Sequence, residues 1–147
     1  MIHLELINDK DLHAPDAAQF QNWANQVANQ LQTSGEVCVK IVDATESQTL
    51  NSQYRGKDYP TNVLSFPAEI PDFVESEQLG DLAICAEVVV REAAEQNKAV
   101  EHHWAHMTIH GLLHLLGYDH LEDEEAEAME ALEIQLLSAL DIPDPYL

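Results

Sequence analysis

Residues 110–120 read HGLLHLLGYDH, three histidines set among leucines and separated by a glycine. Apolar residues at helical spacing continue back to about Val100, so the segment is expected to be one largely buried helix from Val100 to about Leu116. His110 and His114, four residues apart, share a face of such a helix, and both imidazoles can reach one metal ion. Gly117 can adopt the left-handed conformation that ends a helix. A turn through Tyr118 and Asp119 would then return His120 toward the same ion. Three neutral imidazoles with a fourth position left for water is the arrangement of catalytic zinc rather than structural zinc. The set His106, His110 and His114 is the competing choice. Its outer members are separated by ~12 Å of helix axis, too far to meet on one small ion. His106 is therefore expected to be structural or to support a ligand, and His102 and His103 are expected at the surface.

In zinc proteases the residue after the first histidine of such a motif is a glutamate that acts as general base. Here it is Gly111, which carries no proton and lowers helix propensity. It is expected to serve close packing or ligand access. A protease mechanism loses its base, and what remains is a metal-activated water whose pKa can fall to ~7. Further help must come from elsewhere in the chain. The best source is YRGKDYPTNVLSFP, residues 54–67, a turn-rich loop leading into a strand. Arg55 offers a planar fork suited to phosphate oxygens and could stabilise the extra charge of a pentavalent phosphorus. The competing reading is that Arg55 merely pairs with one of the chain's many acids.

Around these segments the chain organises simply. Residues 2–7 alternate as a strand. A helix follows, capped by Asp16 with Gln19 three residues later, carrying the stripe Phe20, Trp23, Val27 and Leu31 and ended by Gly35. EVCVKIVD is a β-branched strand with Val37, Val39 and Ile41 on one face. Thr45 and Gln48 suggest a second capping box, opening a short helix to about Tyr54. NVLSF is a strand stopped by Pro67, residues 67–79 form an acidic loop, and GDLAICA is a short buried strand. Helices are expected over about 87–97, 100–116 and 122–140, the last with Met129, Leu132, Leu136 and Leu140 inward and its acids on a solvated face. The sum is α+β or α/β, one small mixed four-stranded sheet packed with about five helices, in a single domain over 1–147.

The net charge is −21, from 27 acidic and 6 basic side chains. That argues against loose binding to nucleic acid or anionic membranes. No apolar run approaches the ~20 residues of a membrane span, and the amino terminus is not a signal peptide, so a cytoplasmic protein is expected. Cys38 and Cys85 sit far apart in apolar stretches and are expected to be reduced core thiols.

Together HGLLHLLGYDH and YRGKDYPTNVLSFP, with LGDLAIC and EDEEAEAME in support, resemble the YbeY family of bacterial endoribonucleases, also called rRNA maturation factors. Order and spacing agree from about Leu50 to Met129. The resemblance implies a zinc-dependent, single-strand-specific RNA endonuclease acting in ribosomal RNA maturation, including the small-subunit RNA 3′ end, and in ribosome quality control. It implies an α+β fold with a histidine helix like those of zinc hydrolases, one zinc per chain on His110, His114 and His120, and Arg55 as a functional arginine. The candidate catalytic residues are thus Arg55 and His114, the latter through the metal it would hold. Asn62 stands where many members carry aspartate, and no catalytic role is assigned to it. The expected partners are single-stranded and ribosomal RNA, the ribosomal particle and its basic proteins, to which so acidic a surface would be drawn. A metal-dependent peptidase and a non-enzymatic, metal-containing assembly factor are the alternatives.

Overall fold

The computed structural model describes residues 1–71, 74–119 and 121–147. Its elements run β1 (Ile2–Ile7), α1 (Ala17–Leu31), β2 (Gly35–Val42), α2 (Ala44–Arg55), β3 (Val63–Pro67), β4 (Gln78–Cys85), α3 (Ala86–Glu95), α4 (Val100–Leu115) and α5 (Asp123–Ser138). The fold is α+β, one mixed four-stranded sheet with five helices, as the sequence suggested. The strands lie in the order β1-β2-β4-β3. β1 and β4 each pair with β2 in parallel, whereas β3 pairs with β4 antiparallel from Val63↔Ile84 to Pro67↔Gly80.

Period-two alternation decides what each face of the sheet buries. Val37, Val39, Ile41, Leu82 and Ile84 join the main core with Phe20 and Trp23 of α1, Trp104, Ile109 and Leu112 of α4 and Met129 and Leu136 of α5. Phe20 meets Trp23 and Trp104 edge-on at 5.2 and 5.9 Å between centroids, a favoured aromatic geometry. The opposite face buries Val42, Leu64, Ala83 and Cys85 in a smaller cluster under α2, with Leu50 and Phe66 packed against it. Cys38 and Cys85 are free thiols. No helix among the described residues is long and apolar enough to cross a membrane.

Three helix ends differ from the sequence reading. The Asp16–Gln19 capping box of α1 forms, but its C-cap is Gln32 in the left-handed region, and Gly35 instead begins β2. The cap of α2 is Asp43, whose side chain accepts from the Glu46 N–H at 2.8 Å, in place of Thr45. Asp43 wins because the helix starts two residues earlier than the Thr45 box requires, directly where β2 ends. α2 also continues through Arg55, which therefore sits on a helix end rather than in a loop. Gly56, at φ 67°, closes that helix. β4 begins at Gln78, two residues into the segment read as loop; residues 72 and 73 of that segment lie outside the described residues.

Candidate functional site

α4 carries His106, His110 and His114 across the edge of the sheet formed by β3 and β4. Gly111 is what lets it lie there. A Cβ at this position would stand 2.8 Å from Leu82 Cδ2 and 3.2 Å from Val63 Cγ2, inside ordinary van der Waals separation. Gly111 thus faces the sheet, and the neighbouring turns present His110 and His114 to a cleft of ≈ 710 Å³.

The Nε2 atoms of His110 and His114 are 3.2 Å apart. Two nitrogens held tetrahedrally at ~2.0–2.1 Å from one zinc would be separated by about 3.3 Å, so the pair fits a shared ion. After α4, Gly117 takes φ 100°, and the Tyr118 N–H donates back to the Leu113 carbonyl at 3.0 Å. The chain therefore turns where expected. The expected third ligand, His120, lies outside the described residues.

Behind the histidines is a residue the sequence reading missed. Glu133 on α5 is completely buried, although its helix was expected to keep its acids in solvent. Its Oε1 accepts a hydrogen bond from His110 Nδ1. Its Oε2 accepts from the Tyr146 hydroxyl and faces His106 Nε2 at 3.4 Å. Burial alone would raise the Glu133 carboxyl, but the hydrogen bonds from His106, His110 and Tyr146 outweigh it and hold the pKa at about 2. An ionised carboxylate on Nδ1 assigns the His110 proton to that nitrogen and leaves the Nε2 lone pair for the cleft. Carboxylate support of this kind is the usual partner of a metal-binding imidazole. The signal was present in the sequence: Glu133 lies four residues after Met129 and three before Leu136, inside the apolar stripe.

His106 is buried, and burial pushes its pKa down. It meets Glu133 and the Tyr146 hydroxyl, the latter at 3.3 Å, in keeping with a structural or supporting role. His106, His110 and Glu133 offer ligand atoms within 4.8 Å of one another, so this group too could hold a metal. His103, expected at the surface, is buried instead and pairs with Glu92 Oε1 at 2.9 Å. It lies four residues before the buried Met107, on the side of α4 that meets Glu92 of α3. The His103 hydrogen bond, opposed by burial and reinforced by Asn62, holds the Glu92 carboxyl below its usual value. Asn62 is thereby occupied: its Nδ2 donates to Glu92 at 3.1 Å while its Oδ1 accepts from the Val63 N–H.

The opposite wall of the cleft comes from α2 and the loop after it. Arg55, Tyr54 and Asn62 line the same cleft as His110, His114, Tyr118 and Asp119. Two buried polar side chains fix this wall. Ser47 Oγ donates to the Thr61 carbonyl and accepts from the Thr61 N–H, both at 2.9 Å. Asn51 Nδ2 donates to the Tyr59 carbonyl at 2.8 Å. With Gln48 Nε2 donating to Asp58 Oδ1 at 2.9 Å, the loop is tied back onto α2 by three side chains, with Arg55 at the helix end. Among the described residues Arg55 pairs with no carboxylate, which speaks against the reading that it serves only to neutralise an acid.

Comparison with known proteins agrees with this arrangement. A family model described as endoribonuclease YbeY matches residues 6–141. The solution structure of TM1509 from Thermotoga maritima superposes with a TM-score of 0.63, at 29% sequence identity, over 94% of this chain and 87% of that one. The family match takes in both walls of the cleft, the Arg55 helix end and the histidine helix with its Glu133 support, and on that extent the chain belongs to the YbeY endoribonuclease family.

Proposed function

We propose that this chain is a zinc-dependent, single-strand-specific endoribonuclease of the cytoplasm, acting as one domain over residues 1–147. Its place is ribosomal RNA maturation, including the small-subunit 3′ end, and ribosome quality control. The observation that carries the reading is the opposition, across one open cleft, of an arginine without a carboxylate partner among the described residues to two imidazoles whose Nε2 atoms converge. His110, His114 and His120 would hold the ion. When bound, zinc supplies Lewis acidity that brings the pKa of a water toward ~7. Glu133 keeps the His110 proton on Nδ1 and the ring in place. Arg55 binds and orients the scissile phosphate through a bidentate fork and offsets the charge that grows on its oxygens. With a net charge of −21, affinity for the ribosomal particle would come from basic ribosomal proteins docking on the acidic surface.

One observation favours a second reading. In the group His106, His110 and Glu133 two members are buried, Glu133 at 0% and His106 at 6% exposure, while His110 reaches the cleft. An ion there would hold α4 to α5 from behind the cleft, as in a non-enzymatic assembly factor. His114→Ala separates the two. On the nuclease reading the wild type cuts a single-stranded RNA internally, and a folded His114→Ala protein neither cuts it nor keeps a full equivalent of metal. Retained metal with no cleavage by the wild type would favour the assembly factor.

A further inference from the structure

Tyr54 is 67% exposed, yet its ring is held. It meets Phe66 at 4.3 Å between centroids with the planes at 60°. Phe66 is anchored in turn against the smaller apolar cluster on that face of the sheet. Tyr54 precedes Arg55 on the last turn of α2. The two rings line the metal-site cleft and also a second groove of ≈ 600 Å³ along β3 and β4. They form the ridge between the two depressions.

Charge decides what can cross that ridge. Among the described residues Arg55 is the one Lys or Arg lining the first cleft, and the second groove is lined by the acids Glu69 and Asp81 with no Lys or Arg. A polynucleotide leaving Arg55 has no row of cations to follow, and its phosphates would be repelled from the groove floor. An unpaired base is different: every base has a π-face, and a preformed, solvent-open aromatic ring is its usual platform.

We propose that Tyr54, braced by Phe66, is a base-stacking platform that holds a nucleotide next to the scissile phosphate. On this proposal the enzyme grips single-stranded RNA through its bases rather than its backbone. The inference rests on the endoribonuclease reading and names how that site selects unpaired strands. A base-paired nucleotide keeps its faces stacked within the duplex and cannot offer one to Tyr54 without being unstacked.

The test uses metal-loaded protein and a single-stranded 2′-O-methyl oligonucleotide carrying one 2-aminopurine, whose fluorescence is quenched on stacking. Wild type binds with quenching, and its affinity falls with salt at a log–log slope near −0.7, the value for one phosphate contact on a single strand. Tyr54→Leu weakens binding roughly ten- to a hundredfold and loses the quench, the effect of one lost base–ring stack. Tyr54→Phe recovers most of both. In cleavage of a matching RNA, Tyr54→Leu raises KM and leaves the saturated single-turnover rate within about threefold. Undiminished affinity and quench in a folded Tyr54→Leu protein that still cuts RNA would overturn the stacking proposal alone, as would a wild-type salt slope of about −3 or steeper. A wild type that neither binds nor cuts single strands would overturn the proposal and the reading beneath it.

Discussion

The contact at Gly111 makes a quantitative prediction. A methyl added there gains about 1 kcal/mol of helix propensity over glycine. It must also displace Leu82 and Val63, whose methyls stand 2.8 and 3.2 Å from the new carbon. Those side chains are 1% and 9% exposed, so they have no empty space to enter. Overpacking of this kind costs about 1–3 kcal/mol. Gly111→Ala should therefore be destabilising by about 0–2 kcal/mol despite its better propensity. Gly111→Glu adds to the same clash a carboxylate aimed at the sheet with no donor to meet it. Its cost should exceed that of Gly111→Ala by several kcal/mol. Urea denaturation of the metal-free proteins measures both. A Gly111→Ala protein more stable than wild type by about 1 kcal/mol would refute the close approach of α4 to the sheet, because propensity would then be acting alone. The same geometry says that a glutamate here cannot serve as a base in the cleft, so Gly111→Glu should gain no peptidase activity.

Arg55→Ala should slow single-turnover cleavage roughly ten- to a hundredfold or more with metal content unchanged, and Arg55→Lys should recover only part, since an ammonium lacks the bidentate fork. Loss of metal together with activity would make Arg55 structural. Glu133→Gln should weaken metal affinity by roughly 10–100-fold in a chelator-competition titration, as removal of such supporting carboxylates generally does. Unchanged affinity would disconnect Glu133 from the metal. Because the folded Glu92 carboxyl is held below its usual value, its contribution to stability is present above the unfolded carboxyl pKa of ~4.3 and disappears as pH falls through the folded one. Glu92→Gln should accordingly narrow the stability difference between pH 7 and pH 3; an equal acid loss in both proteins would contradict the His103–Glu92 hydrogen bond.

What the sequence made legible was whatever local pattern could express. Period two in Val37, Val39 and Ile41 and the period of α4 placed the core strand and the histidine helix, and Gly117 marked the turn. The misses share a physical cause. Ser47, Asn51, His103 and Glu133 are buried polar residues, each hydrogen-bonded to a partner 8–23 residues away across a loop or on another helix. A composition-based expectation that acids and amides face water has no access to such pairings. Arg55 was found for its chemistry but set in a loop, because its helix continues one residue past Tyr54 to be closed by Gly56. The reason for Gly111 needed the facing strand, since nothing within α4 records how near Leu82 comes.

Metal stoichiometry bears most directly on the central claim that His110 and His114 hold a catalytic ion in the Arg55 cleft. Protein purified without a histidine tag should carry one divalent ion per chain, zinc foremost. Joint alanine substitution of His110, His114 and His120 should abolish it, while His106→Ala, which removes a side chain bonded to Glu133 and Tyr146 behind the site, should keep most of it. Full metal in the triple variant would contradict the claim, and metal that survives loss of His114 but disappears with His106 would move the ion to the group of His106, His110 and Glu133.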